Sequence, residues 1–247
     1  MVAADGLDGQ GNTSGHQSLV HRVCEAAVDE VLATVNTVQY IIQSIEQISH
    51  APFRRERIKC VSLKPKTDRG NAAAACLMDG STAAGYMWRR ARDDCEKGDI
   101  LLLEEHVVNP QSVDTPGKEV VLDGKTLLAV ERSLRHELIH AFDDVRGFVE
   151  AADCSHQACS EIRAARLSGD CFVGEEFRRG RFDPLSGGMK CVRRRAIMAV
   201  DKNPLCRDFS ERAVERVFQR CYSDYEPFAA PIYAMGSYGK ERFKFGQ

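Results

Sequence analysis

The chain has 247 residues, 43% of them hydrophobic and 28% charged, which is typical of a soluble globular protein and excludes a disordered or fibrous one. Its 34 basic and 36 acidic residues leave a net charge of −2, so no overall field attracts nucleic acid, and we expect no nucleic-acid partner. Two basic runs, Arg178–Arg181 and Arg193–Arg195, lie among acidic residues and are interpreted as solvated helix faces.

The first half of the chain predicts a tail, a helical arm and several strands. Residues 1–15 are rich in Gly, Ala, Asp and Asn and predict a disordered tail. Over residues 16–56 we expect a helical arm, because apolar residues recur there at helical spacing. The strand predictions that follow are residues 57–63, Gly85–Trp88 after a turn at Asp79–Gly80, and Ile100–Val108, with a surface loop at Asn109–Asp123.

Helices dominate the second half. One is predicted over Leu127–Val145, and a second over Ser155–Ser168 with Ser155 as its N-cap and Gly169 just after its end. Gly187–Gly188 predicts a loop, and Ser210 is expected to cap a last helix that ends at Cys221. Strands followed by helices indicate an α+β fold, with one main domain over residues 57–235 and a tail over 236–247.

Neither a membrane span nor a cysteine-ligated metal is predicted. No window approaches the roughly 18 consecutive apolar residues that a spanning helix needs, so we expect a soluble or peripheral protein. The ten cysteines are dispersed and form no C-x-x-C pair, which favours structural disulfides in an oxidising compartment. Buried free thiols in a reducing compartment are the alternative.

The segment His136-Glu137-Leu138-Ile139-His140 carries the strongest chemical signal. Helical residues four apart lie on one face, so both imidazoles are presented where a single Zn²⁺ can bind them. Glu137 is then placed to act as the catalytic carboxylate, because it can take a proton from a metal-bound water without being a ligand. The alternative is a helix whose histidines are merely solvated or hydrogen-bonded.

A catalytic zinc site needs a third protein ligand. We assign it to Glu161, on the next predicted helix and 21 residues after His140, a spacing close to that of zinc peptidases with a helical Glu ligand. Asp143 and His156 are the alternatives. Asp143 shares the face of the two histidines and is interpreted mainly as an acceptor that orients an imidazole.

Two long segments resemble a known family. His136–Asp143 and Ala158–Cys171, followed by Cys221 and Glu226–Phe228, resemble the mitochondrial inner membrane protease family that processes and assembles ATP synthase. The resemblance implies a zincin-like metallopeptidase domain with an active-site helix, a small sheet and an N-terminal helical arm. It also implies a peripheral protein on the intermembrane-space side of the mitochondrial inner membrane, with a membrane-sector ATP synthase subunit as protein substrate.

Three functional hypotheses follow from the sequence. The first is a zinc endopeptidase of this family, which needs both the metal and Glu137. The second is an assembly chaperone that does not require proteolysis, and the third is a disulfide-rich binding module in which the motif is accidental. Stoichiometric zinc separates the third from the others, and the requirement for Glu137 separates the first two.

Overall fold

The computed structural model describes residues 18–63, 82–90, 95–113, 119–147, 149–150, 152–181 and 187–229. The predicted tails over 1–15 and 236–247 and the predicted turn at Asp79–Gly80 lie outside these residues. The described residues form the following helices and strands: α1 (Leu19–Thr34), α2 (Asn36–Ser49), β1 (Ile58–Val61), β2 (Ala84–Tyr86), β3 (Ile100–Leu103), α3 (Glu104–Val107), α4 (Gly124–Val145), α5 (Cys154–Leu167), α6 (Val173–Arg178), α7 (Gly187–Asp201) and α8 (Ser210–Tyr222).

The three strands form one small mixed sheet in the order β1-β3-β2. The central strand β3 runs parallel to β1 and antiparallel to β2, so that Ile100 pairs with Ile58 on one side and Tyr86 on the other. All four residues of β3 are buried because both faces of the sheet are covered. The predicted strand over Ile100–Val108 ends at Leu103, where the chain turns into α3.

The predicted N-terminal helical arm consists of two helices. Val35 leaves the helical conformation, with φ −96° and ψ 103°, and separates α1 from α2. Both helices bury their apolar residues in a first core that they share with the sheet and α4. A disulfide between Cys24 and Cys60 joins α1 to β1. The domain boundary after residue 56 stays a prediction. In the structure, the helices of the arm pack in the same core as α4.

Helix α4 runs through the first core. It begins at Gly124, three residues before the predicted start, because the Asp123 side chain accepts the backbone N–H groups of Lys125 and Thr126 and so caps the helix. It ends at Val145, shortly before Gly147, whose φ of +75° is the left-handed conformation typical of a residue after a helix. The apolar stripe that fixes α4 in the core is Leu134, Leu138, Ile139 and Phe142.

A second core lies between α5, α7 and α8 and is joined by three disulfides. These are Cys154–Cys206, Cys159–Cys221 and Cys171–Cys191. No free thiol occurs among the described cysteines, which agrees with the predicted disulfides. Helix α5 forms the wall between the two cores, since it contributes Ala164 and Leu167 to the first and Ala158, Ile162 and Ala165 to the second.

Three details of the helix predictions were wrong. The side chain that caps α5 belongs to Asp153 and not to Ser155, because Asp153 accepts the N–H groups of Ser155 and His156. Gly187 begins α7 rather than a loop, and Ser210 is the first residue of α8 without acting as a side-chain cap.

The predicted α+β class, with a small sheet and N-terminal helices, is confirmed. In the part of the chain that is described, no helix is both long enough and apolar enough to span a membrane.

Candidate metal centre

Three potential metal ligands meet where α5 crosses α4. His136 and His140 lie one turn apart on α4, with ring centroids separated by 5.0 Å. Glu161 on α5 faces both rings: its Oε2 lies 3.7 Å from His136 Nε2, and its Oε1 lies 3.7 Å from His140 Nε2. One ligand atom from each of the three side chains lies within 4.8 Å of the other two. The structure therefore brings together the three residues that the sequence predicted as ligands.

The geometry of these donors fits a zinc ion. Ligand bonds of about 2.0–2.2 Å in tetrahedral geometry place ligand atoms roughly 3.3 Å apart. The observed separations of 3.7 Å involve different oxygens of Glu161, and one ligand atom from each residue lies within 4.8 Å of the others, so the side chains have to approach one another by up to about 1.5 Å to bind one ion. Two imidazoles and one carboxylate are also a donor set that catalytic zinc sites use.

The second nitrogen of His136 faces an acid that the sequence analysis did not identify. Nδ1 of His136 lies 3.4 Å from Oδ2 of Asp170, in the turn that follows α5. Burial disfavours the charged imidazole, but the contacts with Asp170 and Glu161, with a smaller contribution from Glu137, raise the pKa of His136 to about 10. A metal that binds here has to displace a proton from His136 at neutral pH.

The second nitrogen of His140 is held through a relay of side chains. The Ser160 hydroxyl donates to Oδ2 of Asp143 at 2.9 Å, so its oxygen can accept the Nδ1–H of His140, at 2.8 Å. This tautomer leaves the lone pair of Nε2 facing Glu161. Asp143 is fixed in turn by Arg163, whose Nε donates to both carboxylate oxygens. Burial lowers the pKa of His140 to about 4, which keeps this ligand neutral.

The two alternative ligands lie elsewhere. Asp143, which the sequence analysis interpreted mainly as an acceptor that orients an imidazole, is connected to His140 through the Ser160 hydroxyl. His156 is exposed near the start of α5, where its Nδ1 accepts the backbone N–H of Glu150. Neither side chain belongs to the three-residue cluster formed by His136, His140 and Glu161.

Glu137 is buried beside the three-residue cluster. Only 6% of it is exposed, and this burial raises the pKa of its carboxyl group to about 7, against the opposing effect of His136. The backbone N–H of Tyr86 in β2 also bonds to this carboxylate. The residue therefore has the position and the pKa of a group that exchanges protons near neutral pH.

Aromatic side chains from the β2 region complete the wall around His140. The Trp88 ring packs edge-on against the His140 imidazole, with centroids 5.3 Å apart, and Tyr86 packs against Trp88 at 4.9 Å. The Tyr86 hydroxyl donates to Asp144 at 2.7 Å and so fixes β2 to α4. The sequence predicted a strand here but held no signal that these rings contact the histidine.

The cluster opens into a cleft of about 1010 Å³. One wall is the segment Thr82–Trp88, which contains β2. The floor is formed by His136, Glu137, His140 and Glu161. Seven basic side chains line the cleft against four acidic ones, and three of those four acids lie at or beside the metal ligands. A cleft of this size accommodates several residues of a peptide.

Comparison with known proteins yields several relatives with related names. The chain is 43% identical over 103 residues to "Mitochondrial inner membrane protease ATP23" of Eremothecium gossypii, a match that covers 40% of this chain and 42% of that protein. It is 41% identical over 119 residues to the Schizosaccharomyces pombe protein of the same name, covering 46% and 64% respectively. The Saccharomyces cerevisiae protein is 43% identical over 105 residues, covering 40% of this chain and 46% of the relative.

The matched segment thus spans about half the length of these curated relatives. No solved structure matches the chain. The match to the Peptidase M76 family is much longer, since it extends over residues 22–229 and includes both histidines, Glu137 and Glu161. Because that match covers most of the chain, the protein belongs to the peptidase M76 family, which confirms the resemblance seen in its sequence.

Proposed function

We propose that this protein is a zinc metalloendopeptidase in which His136, His140 and Glu161 bind the metal and Glu137 is the catalytic carboxylate. The observation that carries the proposal is the convergence of these four side chains on one cleft. Membership of a peptidase family supports it independently.

The chemistry follows from the positions of the side chains. A bound zinc ion would supply Lewis acidity and lower the pKa of a water molecule in the site. Glu137 accepts the proton of the attacking water and later returns it to the leaving amine, which a carboxyl group with a pKa of about 7 can do in both directions. Ser160 and Asp170 hold the two imidazoles in place, and the Trp88 ring shields one side of His140 from solvent.

An extended peptide is the substrate that the cleft fits best. β2 borders the cleft, and in the described part of the chain it pairs only with β3. Apart from the Tyr86 N–H, which bonds to Glu137, its other edge can therefore bond to the backbone of an added strand, while the bond to be cleaved lies over α4. This arrangement favours proteolysis over hydrolysis of a small molecule.

The proposed location rests on the names of the relatives and on the cysteines, and the proposed substrate rests on the family resemblance of the sequence. The relatives are named mitochondrial inner membrane proteases, and the four disulfides of the described residues fit an oxidising compartment. We therefore assign the protein to the intermembrane-space side of the mitochondrial inner membrane as a peripheral protein. Its proposed substrate is a membrane-sector subunit of ATP synthase, whose assembly it also assists.

The decisive experiment substitutes Glu137 by Gln, which keeps the shape of the side chain but removes the proton acceptor. We expect Glu137→Gln to retain stoichiometric zinc and the thermal stability of the parent, and to lose cleavage of its protein substrate by at least about a thousandfold. The second readout is the rescue of ATP synthase assembly, measured in cells in which assembly fails because this protein is missing. Processing that continues at the parental rate in the variant contradicts the peptidase proposal, and rescued assembly without processing favours a chaperone role.

A further inference from the structure

One wall of the cleft is formed by four arginines, which we call the arginine wall: Arg179, Arg181, Arg194 and Arg195. Arg179 and Arg181 follow α6, and the other two lie on α7. All four line the same cleft as the metal ligands. The sequence alone predicted solvated helix faces for these runs, but the fold turns these four side chains towards the cleft.

Three of the four guanidinium groups share a single carboxylate. Oε1 of Glu176 lies 3.2 Å from Arg179 and 3.3 Å from Arg181, and its Oε2 lies 3.0 Å from Arg194. One negative charge thus faces three positive ones. Burial alone raises the pKa of Glu176, but the three arginines hold this pKa below its usual range. The carboxylate therefore stays charged, and both of its oxygens are already paired with arginines. A local excess of positive charge remains in the wall.

The fourth arginine connects the wall to the metal centre. Arg195 donates to Oδ2 of Asp170 at 2.8 Å, and the same oxygen lies 3.4 Å from Nδ1 of His136. The wall therefore begins directly beside a metal ligand. The side chains of Arg181, Arg195 and Arg194 are 50%, 39% and 37% exposed. Because Arg195 is paired with Asp170 beside His136, Arg181 and Arg194 are the members farther from the metal centre that can contact a ligand.

We propose that the arginine wall is a specificity subsite that binds an acidic side chain, Asp or Glu, of the peptide being cleaved. The inference rests on the proposed peptidase function and names the substrate class of the same cleft. Guanidinium groups bind carboxylates with two parallel hydrogen bonds, and Arg181 and Arg194 present such groups into a cleft that is partly shielded from solvent. A concave site beside the metal ligands fits a peptide side chain better than the headgroups of a flat lipid surface.

The test uses zinc-loaded full-length protein and pairs of fluorogenic peptides. Cleavage of a random dodecapeptide library first identifies susceptible sequences, and each is then made with Glu or Gln at the position where acids are enriched. We expect kcat/KM to be about ten- to a hundredfold higher for the Glu peptide, the range for a hydrogen-bonded charge pair. Arg181→Gln/Arg194→Gln should bring the ratio of the two kcat/KM values close to one, and because both peptides are measured on the same protein, a general loss of activity does not change this ratio.

Arg193→Gln is the matched control. It removes one charge from the same helix, but Arg193 pairs with Glu215 on α8 and does not line the cleft, so the preference for Glu should persist. Equal cleavage of both peptides by the parent, or a preference that survives in the double variant, overturns the proposal. A double variant that instead loses only binding to phosphatidylglycerol-containing vesicles assigns the wall to a membrane surface, which also overturns it.

Binding to Glu137→Gln protein, measured by fluorescence anisotropy, separates this inference from the proposed function. Random dodecapeptide pools with Glu fixed at one position, chosen without reference to cleavage, should bind this inert protein more tightly than pools with Gln at that position, and the preference should disappear when Arg181→Gln/Arg194→Gln is added. If this preference is found but the parent cleaves no peptide, the peptidase proposal fails and the acidic-ligand site stands. If the parent cleaves peptides but neither readout shows the preference, the inference fails and the peptidase proposal stands.

Discussion

At the scale of single residues, the metal centre depends on small polar contacts behind the two histidines. Each imidazole directs Nε2 at Glu161 while its Nδ1 faces a second partner, which is Asp170 for His136 and Ser160 for His140. Such partners set the tautomer and orientation of a metal-binding histidine. The relay through Ser160 to Asp143 is buried, with at most 3% of any of its residues exposed, so bulk water has little access to the position of a lost hydroxyl.

Ser160→Ala should therefore weaken zinc binding without unfolding the protein. Loss of the hydroxyl leaves Nδ1 of His140 without its acceptor, and we expect a decrease in zinc affinity of about ten- to a hundredfold, measured by competition with a chelator. Ser155→Ala, in the first turn of the same helix, is the control and should bind zinc like the parent. Equal affinity in Ser160→Ala and the control would refute a positioning role for Ser160.

The identity of the third ligand is tested by a second pair of substitutions. Glu161→Ala removes one of three donors, so zinc content after dialysis should fall well below one equivalent per chain. His156→Ala should retain full zinc, because His156 is exposed and lies outside the three-residue cluster. The opposite result, with zinc lost only in His156→Ala, would show that another arrangement of α5 binds the metal.

The sequence predicted part of this site and could not predict the rest. A spacing of four on a helix fixes the relation of His136 to His140 before any tertiary structure is known. Ser160, Asp170 and Trp88 become partners of the histidines only through the angle at which α5 crosses α4 and through the position of β2. Those relations depend on packing between distant segments, for which a single sequence carries no periodic signal.

At the scale of elements, the sequence predicted α4, α5 and α8 and placed α1 and α2 in one helical arm, but it missed the break at Val35 and local signals misplaced some helix ends. Two residues near the start of α5 had side chains that can cap a helix, and the packing of α5 selected Asp153 rather than Ser155. The start of α7 was missed because a Gly-Gly pair disfavours helix in isolation. There, the disulfide between Cys171 and Cys191 and the burial of Val192 and Ala196 outweigh the local preference.

The disulfide between Cys159 and Cys221 holds α5 against α8, and its removal should affect the metal as well as the fold. Because its cysteines are separated by 62 positions in the sequence, we expect Cys159→Ser/Cys221→Ser to lose roughly 2–5 kcal/mol of unfolding free energy in urea. Zinc affinity should also fall, because α5 carries Glu161. Cys24→Ser/Cys60→Ser is the comparison: it should lower stability while reducing zinc affinity less, since it joins α1 to β1 away from Glu161.

At the scale of the whole molecule, ion pairs join the segment after α8 to helices α4 and α5, which carry the site. Asp224, just after α8, contacts Arg163 on α5 and Arg146 at the end of α4. Burial opposes the charge of Asp224, but these two arginines hold its pKa below the usual value of 3.8. Asp224 therefore stabilises the folded state above pH 3.8, and this contribution is lost as the pH falls through its lower folded pKa.

Asp224→Asn should show this pH dependence. At neutral pH we expect the variant to lose about 1 kcal/mol of unfolding free energy relative to the parent. The difference should shrink as the pH falls below about 4, because the parent then protonates Asp224 and loses the same interactions. Urea denaturation at a series of pH values measures it, and a difference that stays constant down to acidic pH would contradict the assigned role of Asp224.

The three disulfides of the second core also link the oxidation state of the cysteines to the metal centre. Glu161 and Arg194 belong to helices whose shared core contains all six of these half-cystines, whereas His136 and His140 lie on α4, which packs in the first core. In a reducing compartment these cysteines stay thiols, and the cross-links between α5, α7 and α8 are then missing. We therefore expect zinc affinity to depend on the redox state of the cysteines, which zinc titration of the reduced and the oxidised protein measures.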